Sequence, residues 1–230
     1  MIEFRVEVDD SNLMLGLVSA EPVTIGAPSE TFAPLVDGLV REFSAEGFEF
    51  PERYRLGIRQ LLKRGGFRPA GRSKPASEYL VQAIRKEGSF PRINNAVDVN
   101  NYISTRAFLP ASLIDADVLG ARAVVRYGRE GESYVFNASG HAIELRGLLC
   151  VCRDDGEGRS TALANPVKDS MEAKLADETR RVIGIIYASL ECVDEETLFQ
   201  HTSRFAEMLT SHCGAEICET NLLVARRRTV

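Results

Sequence analysis

Helix-type and strand-type spacings of apolar residues occupy different parts of this chain, and that separation limits the folds it can adopt. Two alternating, strand-like stretches fill residues 2–20. Helical spacing then dominates to about residue 104, and strand-like runs dominate from residue 121 to residue 190. No regular run of βαβ units interrupts this order. The pattern therefore predicts an α+β fold, with helices mainly in the first half and strands in the second.

Apolar periodicity and chain breakers place the individual elements. Proline near the start and glycine after the end bound the second and third helices. The predicted helices span residues 31–45, 51–64, 75–88, 94–104 and 195–210. The predicted strands are IEFRVEV, LMLGLVSA, ARAVVRY, SYVF, HAIELRGLLCVC, STALA, RVIGIIYASL and AEICETNLLVA. Ser73 is a candidate cap for the third helix.

Composition indicates a globular protein. Hydrophobic residues make up 44% and charged residues 27% of the chain, which excludes disordered, collagen-like and coiled-coil proteins. No apolar stretch approaches the roughly 18 residues that cross a bilayer, and the N-terminus lacks the order of a secretory signal. We therefore expect a soluble, cytoplasmic protein with no membrane partner. Its five cysteines are expected to be reduced, and no set of residues has the spacing of a metal site.

Charge is distributed unevenly. The chain has a net charge of −5, but residues 53–92 contain eleven basic and two acidic residues, a net charge of +9, so that the remainder carries −14. A basic stretch inside an acidic protein indicates one face that binds a polyanion. A solvated, arginine-rich pair of helices fits the same charge pattern.

Polar residues crowd into an otherwise apolar helix that follows residue 93. Four asparagines and one aspartate lie within eight positions, although asparagine is a poor helix former. On a helix, Asn94, Asp98 and Asn101 share one face, where they would line a polar pocket. The alternative is an asparagine cap followed by hydrogen bonds to neighbouring loops. The polar residues of this first segment are Asn94, Asn95, Asp98, Asn100 and Asn101.

A second polar segment, LANPVKDSMEAKLADETRR, lies between two predicted strands. Lys168 and Asp169 would hold a carboxylate and an amine of a substrate, respectively, or would pair on a surface loop. His141, at the start of a predicted strand, is a candidate general base or a structural residue. The polar residues that this segment brings close together are Asn165, Lys168, Asp169, Ser170 and Lys174.

The order of these segments is similar to a known family. The segments concerned are GRSKPASEYLVQAIRKEG, PRINNAVDVNNYIS and, after the strands, NPVKDS and ETRRVIGIIYA. Together they resemble the B3/B4 domain of the phenylalanyl-tRNA synthetase β subunit, in particular its free-standing relatives. The resemblance covers residues 53–218, and residues 1–50 add N-terminal strands and a helix to what we expect to be one domain over residues 1–230. It implies a layered β/β/α sandwich.

The resemblance also implies an activity. In the synthetase this domain hydrolyses mischarged tRNA, and its free-standing relatives look like trans-editing deacylases, one group of which removes canavanine from arginine tRNA. The predicted partner is therefore aminoacylated tRNA, with no DNA and no cofactor, and the amino acid is of the canavanine or of the tyrosine and phenylalanine type. The synthetase's aminoacylation motifs and its glycine-rich editing stretch have no clear equivalent here. A tRNA- or amino-acid-binding module without catalysis is the alternative.

Roles for individual residues follow from the resemblance and the two polar segments. Deacylation requires a positioned water and donors for the developing oxyanion, because the ester is already activated. The predicted catalytic residues are Asn95, Asp98, Asn101 and Lys168. The predicted substrate-binding residues are Asn94, His141, Glu144, Asn165, Asp169 and Ser170. The predicted tRNA-binding residues are Arg68, Arg72, Lys74 and Arg92. A guanidinium on the substrate would need a carboxylate partner, for which the candidates are Asp98, Glu144, Asp169 and Glu172.

Overall fold

The computed structural model describes residues 2–225, except for the side chain of Arg72. It confirms the α+β class. The helices are α1 (Ala33–Ser44), α2 (Glu52–Lys63), α3 (Ala76–Glu87), α4 (Asn95–Ala107), α5 (Ala116–Leu119) and α6 (Glu195–Cys213). The strands are β1 (Glu3–Val6), β2 (Leu13–Glu21), β3 (Ala111–Asp115), β4 (Arg122–Tyr127), β5 (Ser133–Val135), β6 (Ala142–Glu144), β7 (Leu149–Gly156), β8 (Arg159–Ala164), β9 (Val182–Ser189) and β10 (Ile217–Val224).

Two four-stranded sheets form the framework. The first has the order β1-β4-β7-β8, in which only β1 and β4 run parallel. The second has the order β10-β2-β9-β3 and is antiparallel throughout. Strands β5 and β6 form a separate hairpin. Because antiparallel neighbours need only short connections, the strands of the second half can follow one another without crossover helices.

The second sheet is buried on both faces, which gives three layers. Leu13 and Leu15 of β2 belong to the core between the two sheets. Met14 and Val18 of the same strand belong to the core between this sheet and the helices. Alternate residues of a strand point to opposite faces, so the nearly continuous apolar run LMLGLVSA reflects burial on both sides.

Glycines allow α6 to lie close against this sheet. A Cβ atom added to Gly16 would lie 2.1 Å from the Thr202 hydroxyl oxygen, and one added to Gly184 would lie 2.7 Å from the Phe205 ring. Gly16 and Gly184 lie on the neighbouring strands β2 and β9. The absence of side chains at these two positions therefore sets the distance between the helix layer and the sheet.

Most predicted elements are found, with three differences. The predicted strand HAIELRGLLCVC is divided into β6 and β7 by a turn at residues 145–148, where Gly147 has a φ of 70°. The spacing did not predict β3 and α5, which are short. Ser73 does not cap α3, because the residue at the cap position is Pro75. Among the described residues, the structure contains no helix both long and apolar enough to span a bilayer.

Candidate functional site

Residues of both polar segments line one pocket of about 620 Å³. Its walls come from α3, the first half of α4, β3, the tip of the β5–β6 hairpin and the loop at residues 165–175. We call it the polar pocket. Its polar lining residues are Lys74, Asn94, Asn100, Asn101, Asn137, Lys168, Asp169 and Lys174. Two segments more than 60 positions apart in the sequence therefore meet around one cavity.

A larger cleft of about 1230 Å³ lies elsewhere, between β1, the turn at residues 9–12 and the last described residues. It borders Ala225, where the described part of the chain ends. None of the site residues predicted from the sequence lines it. Size alone therefore does not identify the functional site, and the convergence of polar groups favours the polar pocket.

Asn165 fixes the shape of the loop that carries Lys168 and Asp169. Its side-chain oxygen accepts hydrogen bonds from the backbone N–H groups of Val167 and Lys168, each over 2.8 Å. Its amide nitrogen donates to the Tyr134 hydroxyl, which itself donates to the backbone oxygen of Lys168 over 2.6 Å. The Asn165 side chain thus holds the loop to the β5–β6 hairpin, and Asn165 does not itself line the pocket.

Asp169 is the carboxylate of the polar pocket. The Ser112 hydroxyl donates to its Oδ1 over 2.7 Å, and the backbone N–H of Asn165 donates to the same oxygen over 3.2 Å. The Ser112 hydroxyl lies 3.1 Å from the Tyr187 hydroxyl. Burial raises the pKa of Asp169 to about 7, against the opposing effects of these two hydrogen bonds and of Lys174. The carboxyl group can therefore gain and lose a proton near neutral pH.

Asn100 lines the polar pocket, and its side-chain oxygen is a buried acceptor. Its side chain is only 8% exposed, and its Nδ2 donates to the backbone oxygen of Ala111 over 3.3 Å. Among the described residues, no group donates a hydrogen bond to its buried Oδ1. A buried acceptor without a donor costs about 1–3 kcal/mol. If the Asn100 side chain turned toward the cavity, a ligand that carries an N–H or O–H group would remove that cost.

Cationic and aromatic groups lie on the side of the pocket formed by the hairpin. The Lys168 ammonium lies 4.0 Å from the centre of the Phe136 ring. Lys74 and Lys174 also line the cavity. A cation over a ring face is stabilised by the ring quadrupole, so Phe136 helps to orient Lys168. Negative charge that develops on a bound ligand would be stabilised here.

The helix α4 places its polar residues on different faces, and the pocket receives only some of them. Asn94 and Asn101 line the pocket, and the Asn94 side chain also caps α4 by accepting from Val97 N–H over 2.8 Å. Asn95 points away from the pocket. Its Oδ1 accepts from Gly26 N–H over 2.9 Å, and its Nδ2 donates to the backbone oxygens of Thr24 and His212 over 2.7 and 3.0 Å.

Asp98 does not line the pocket either, although it was predicted to share a face with Asn94 and Asn101. It is fully buried, and its two oxygens accept from Ile93 N–H over 2.8 Å and from Arg92 Nε over 2.6 Å. Burial raises the pKa of Asp98, while these two bonds lower it. We therefore infer positioning roles for Asn95 and Asp98, because neither side chain lines the pocket.

The remaining predicted substrate-binding residues lie around the pocket. His141 is exposed on the hairpin, where its Nδ1 lies 3.0 Å from Asn137 Nδ2. Glu144 is exposed on β6 and does not line the pocket. Ser170 is buried behind it, where its hydroxyl accepts from Glu172 N–H over 3.1 Å. These three residues are therefore not brought into contact with the cavity.

The predicted tRNA-binding residues do not form one surface around the pocket. Lys74 lines the pocket. Arg92 pairs with Asp98, and its guanidinium carbon lies 5.5 Å from the centre of the Phe32 ring. Arg68 is exposed in the segment before α3. The side chain of Arg72 lies outside the described part of the structure.

Sequence reasoning did not single out several residues of the site. Ser112 and Tyr187 lie on β3 and β9, and Phe136 lies at the end of the hairpin. Their types are ordinary for strands, so only the tertiary structure reveals that Ser112 bonds to Asp169 and lies beside Tyr187. The contact of Phe136 with Lys168 is likewise visible only there. Asn100 was noted as part of the first polar segment, but it received no role.

Comparison with known proteins is consistent with this site. A sequence model of the B3/4 domain family matches residues 68–214, which is more than half of the chain and includes both polar segments. The phenylalanine–tRNA ligase beta subunit of Gloeobacter violaceus is 33% identical over 111 residues. That alignment covers 47% of this chain and 13% of the relative. The chain thus matches only a small part of the length of that relative.

Proposed function

Because the chain belongs to the B3/4 domain family, we propose that it is an aminoacyl-tRNA deacylase that hydrolyses the ester of a mischarged tRNA. The single observation that carries this proposal is the convergence of Asn100, Asn101, Lys168 and Asp169 around the polar pocket. The name of the similar phenylalanine–tRNA ligase beta subunit supports tRNA as the substrate.

The pocket contains the groups that ester hydrolysis requires. In the proposed reaction, a water oxygen attacks the ester carbonyl while its proton passes to the Asp169 carboxylate. Lys168 and the Asn101 amide stabilise the oxyanion that forms on the carbonyl oxygen. When the tetrahedral intermediate collapses, the C–O bond to the ribose breaks and the proton returns from Asp169 to the ribose oxygen. No covalent enzyme intermediate is needed.

The proposal also gives the amino acid an orientation in the pocket. We infer that the α-ammonium group of the substrate donates to Asn100 Oδ1 once that side chain turns toward the cavity, since this oxygen accepts from no other group among the described residues. The apolar walls formed by Val97, Leu113 and Leu175 take the side chain. A substrate acylated on its amine would lose the positive charge that strengthens this hydrogen bond and would collide with the wall.

The role of Asp169 differs between the two types of amino acid that the protein could remove from tRNA. Of the four carboxylates proposed as guanidinium partners, Asp169 is the one that lines the pocket, whereas Glu172 pairs with Arg153 over 2.9 Å. A canavanine-type substrate would use Asp169 as a counter-ion. A tyrosine- or phenylalanine-type substrate would leave Asp169 to act on water. These are the two substrate classes within the proposal.

A non-catalytic tRNA- or amino-acid-binding module is the second candidate. It is favoured by one observation: the described lining of the pocket contains amides, cations and a single carboxylate, but no serine or cysteine nucleophile beside a histidine. Such a lining is sufficient for binding an amino acid without any reaction.

A panel of tRNAs charged with canavanine, tyrosine, phenylalanine or their cognate amino acids tests the proposal. We expect one ester to be cleaved faster than in buffer, and we expect Asn101→Ala and Lys168→Ala to slow that cleavage. Asn221→Ala and Arg159→Ala are controls, because both residues are exposed and lie outside the pocket and the basic stretch. If the protein accelerates the hydrolysis of none of the esters, the deacylase proposal is wrong and the binding module remains.

A further inference from the structure

A second groove, of about 440 Å³, lies along α3 beside the polar pocket. Lys74 lines both cavities, so the groove and the pocket share one wall residue. Gln82, Arg85 and Lys86 of α3 line the groove, and all three are exposed. A ligand that enters the pocket from this side would therefore cross a basic surface.

The groove keeps its positive charge because its acidic residue is already paired. Glu78 accepts two hydrogen bonds from the guanidinium of Arg59, over 2.8 and 2.6 Å. Arg85 and Lys86 lie in the last turn of α3, where cations suit the helix dipole without any ligand. Lys74 precedes the N-terminus of the same helix, where the dipole disfavours a cation. Its ammonium donates a hydrogen bond to Gln82 Oε1, which holds the charge over α3.

An exposed aromatic residue lies on the same side of α3. Tyr79 is 59% exposed and lines the mouth of the polar pocket. It precedes Gln82 by three positions and Lys86 by seven, a spacing that places all three on one face of a helix. An exposed ring beside cations is a surface on which unpaired bases stack while the backbone phosphates are neutralised.

We propose that this α3 track, made of Lys74, Tyr79, Gln82, Arg85 and Lys86, binds the unpaired 3′-terminal nucleotides of a tRNA. Tyr79 stacks on a base next to the ester-bearing end, and the three cations contact phosphates. The helical part of the track runs over about 10 Å from Tyr79 to Lys86 at the rise of an α-helix, which is room for a few nucleotides. A base-paired stem has no free base face for Tyr79. This inference rests on the proposed function only for the identity of the RNA.

Binding of uncharged tRNA tests the track without using hydrolysis. Fluorescence anisotropy between 50 and 200 mM salt measures the affinity of the protein for two RNAs. One is complete tRNA, and the other is the same tRNA without its unpaired 3′ nucleotides. The variants are Tyr79→Ala, Tyr79→Phe and the double variant Arg85→Gln with Lys86→Gln. Arg159→Gln with Arg204→Gln is the control, because it removes the same charge from exposed residues elsewhere. Circular dichroism verifies that each variant is folded.

We expect Tyr79→Ala to weaken the binding of complete tRNA at least about fivefold and Tyr79→Phe to restore it, because the ring stacks without its hydroxyl. The double variant should reduce the magnitude of the salt slope by about 1.4, the value for two phosphates of a single strand. Truncated tRNA should be insensitive to both changes. If complete and truncated tRNA lose affinity equally, or if the control lowers the slope as much, the track is wrong. If tRNA binds as expected but no ester is hydrolysed, only the deacylase proposal fails.

Discussion

Ser112 donates a hydrogen bond over 2.7 Å to the carboxylate of Asp169, although the two residues lie 57 positions apart in the sequence. The bond joins β3, at the edge of the second sheet, to the loop of the second polar segment. Burial raises the pKa of Tyr187 well above its ordinary value, so the hydroxyl beside Ser112 stays protonated and can donate to it. Asp169 is thereby held at the wall of the pocket by groups that do not titrate near neutral pH.

Hydrolysis should depend on the protonation of Asp169. Since burial raises its pKa to about 7, we expect the rate to rise with pH through an apparent pKa near that value and then to level off. Asp169→Asn should lower kcat by about 100-fold or more and remove this rise, because the amide cannot accept the proton of water. Initial rates between pH 5.5 and 8.5 measure both effects. An unchanged pH profile in the Asn variant would show that another group takes the proton.

The same carboxyl group should make stability depend on pH. Its pKa in the folded state is about 7 and its ordinary value is 3.8, so between these values the folded state binds more protons than the unfolded state. The free energy of unfolding therefore falls as pH rises through this window, and the loss is complete above it. Asp169→Asn should be more stable relative to the parent at pH 8 than at pH 5. Urea unfolding at the two pH values measures the difference, and an equal difference at both would contradict the assignment.

Recognition of the α-ammonium group should depend on Asn100. We expect the parent protein to cleave an aminoacyl-tRNA with a free amine at least about tenfold faster, as kcat/KM, than its N-acetylated form, because a hydrogen bond to a charged group contributes about 1.5–3 kcal/mol. Asn100→Ala should reduce this preference and act mainly on the free-amine substrate. A preference that survives in the Asn100→Ala variant would place the amine elsewhere in the pocket.

Local patterns were sufficient to predict most elements of the fold. Helix boundaries were marked by apolar stripes and by glycines such as Gly88, which adopts the left-handed conformation after α3. The strand prediction for residues 141–152 was too long, because apolar residues continue through the turn at Gly147. Strand β3 was missed because it is only five residues long and because its burial depends on pairing with β9.

The site was predictable only in part, for a physical reason. The density of polar residues identified both segments, but the direction of each side chain depends on how α4 rotates against its neighbours. Asn94 and Asn101 face the pocket together with Asn100, whereas Asp98 faces Arg92 and Ile93. The helical spacing grouped Asp98 with Asn94 and Asn101, but Val97 and Asn100 line the pocket in its place. Neighbouring residues of a helix point in directions about 100° apart, so a difference of one position decides whether a side chain reaches a ligand.

Asn95 should contribute to stability rather than to catalysis. Its side chain links α4 to residues 24–26 and to the end of α6 through three hydrogen bonds to backbone groups. Asn95→Ala leaves these buried groups without partners, so we expect the free energy of unfolding to fall by about 2–4 kcal/mol. Asn221→Ala, on the exposed side of β10, should change it by less than about 0.5 kcal/mol. Urea unfolding gives these values, and kcat/KM is then compared at a temperature where both variants are folded. If Asn95→Ala keeps the stability of the parent but lowers kcat as much as Asn101→Ala, the catalytic role predicted from the sequence is correct and the positioning role is wrong.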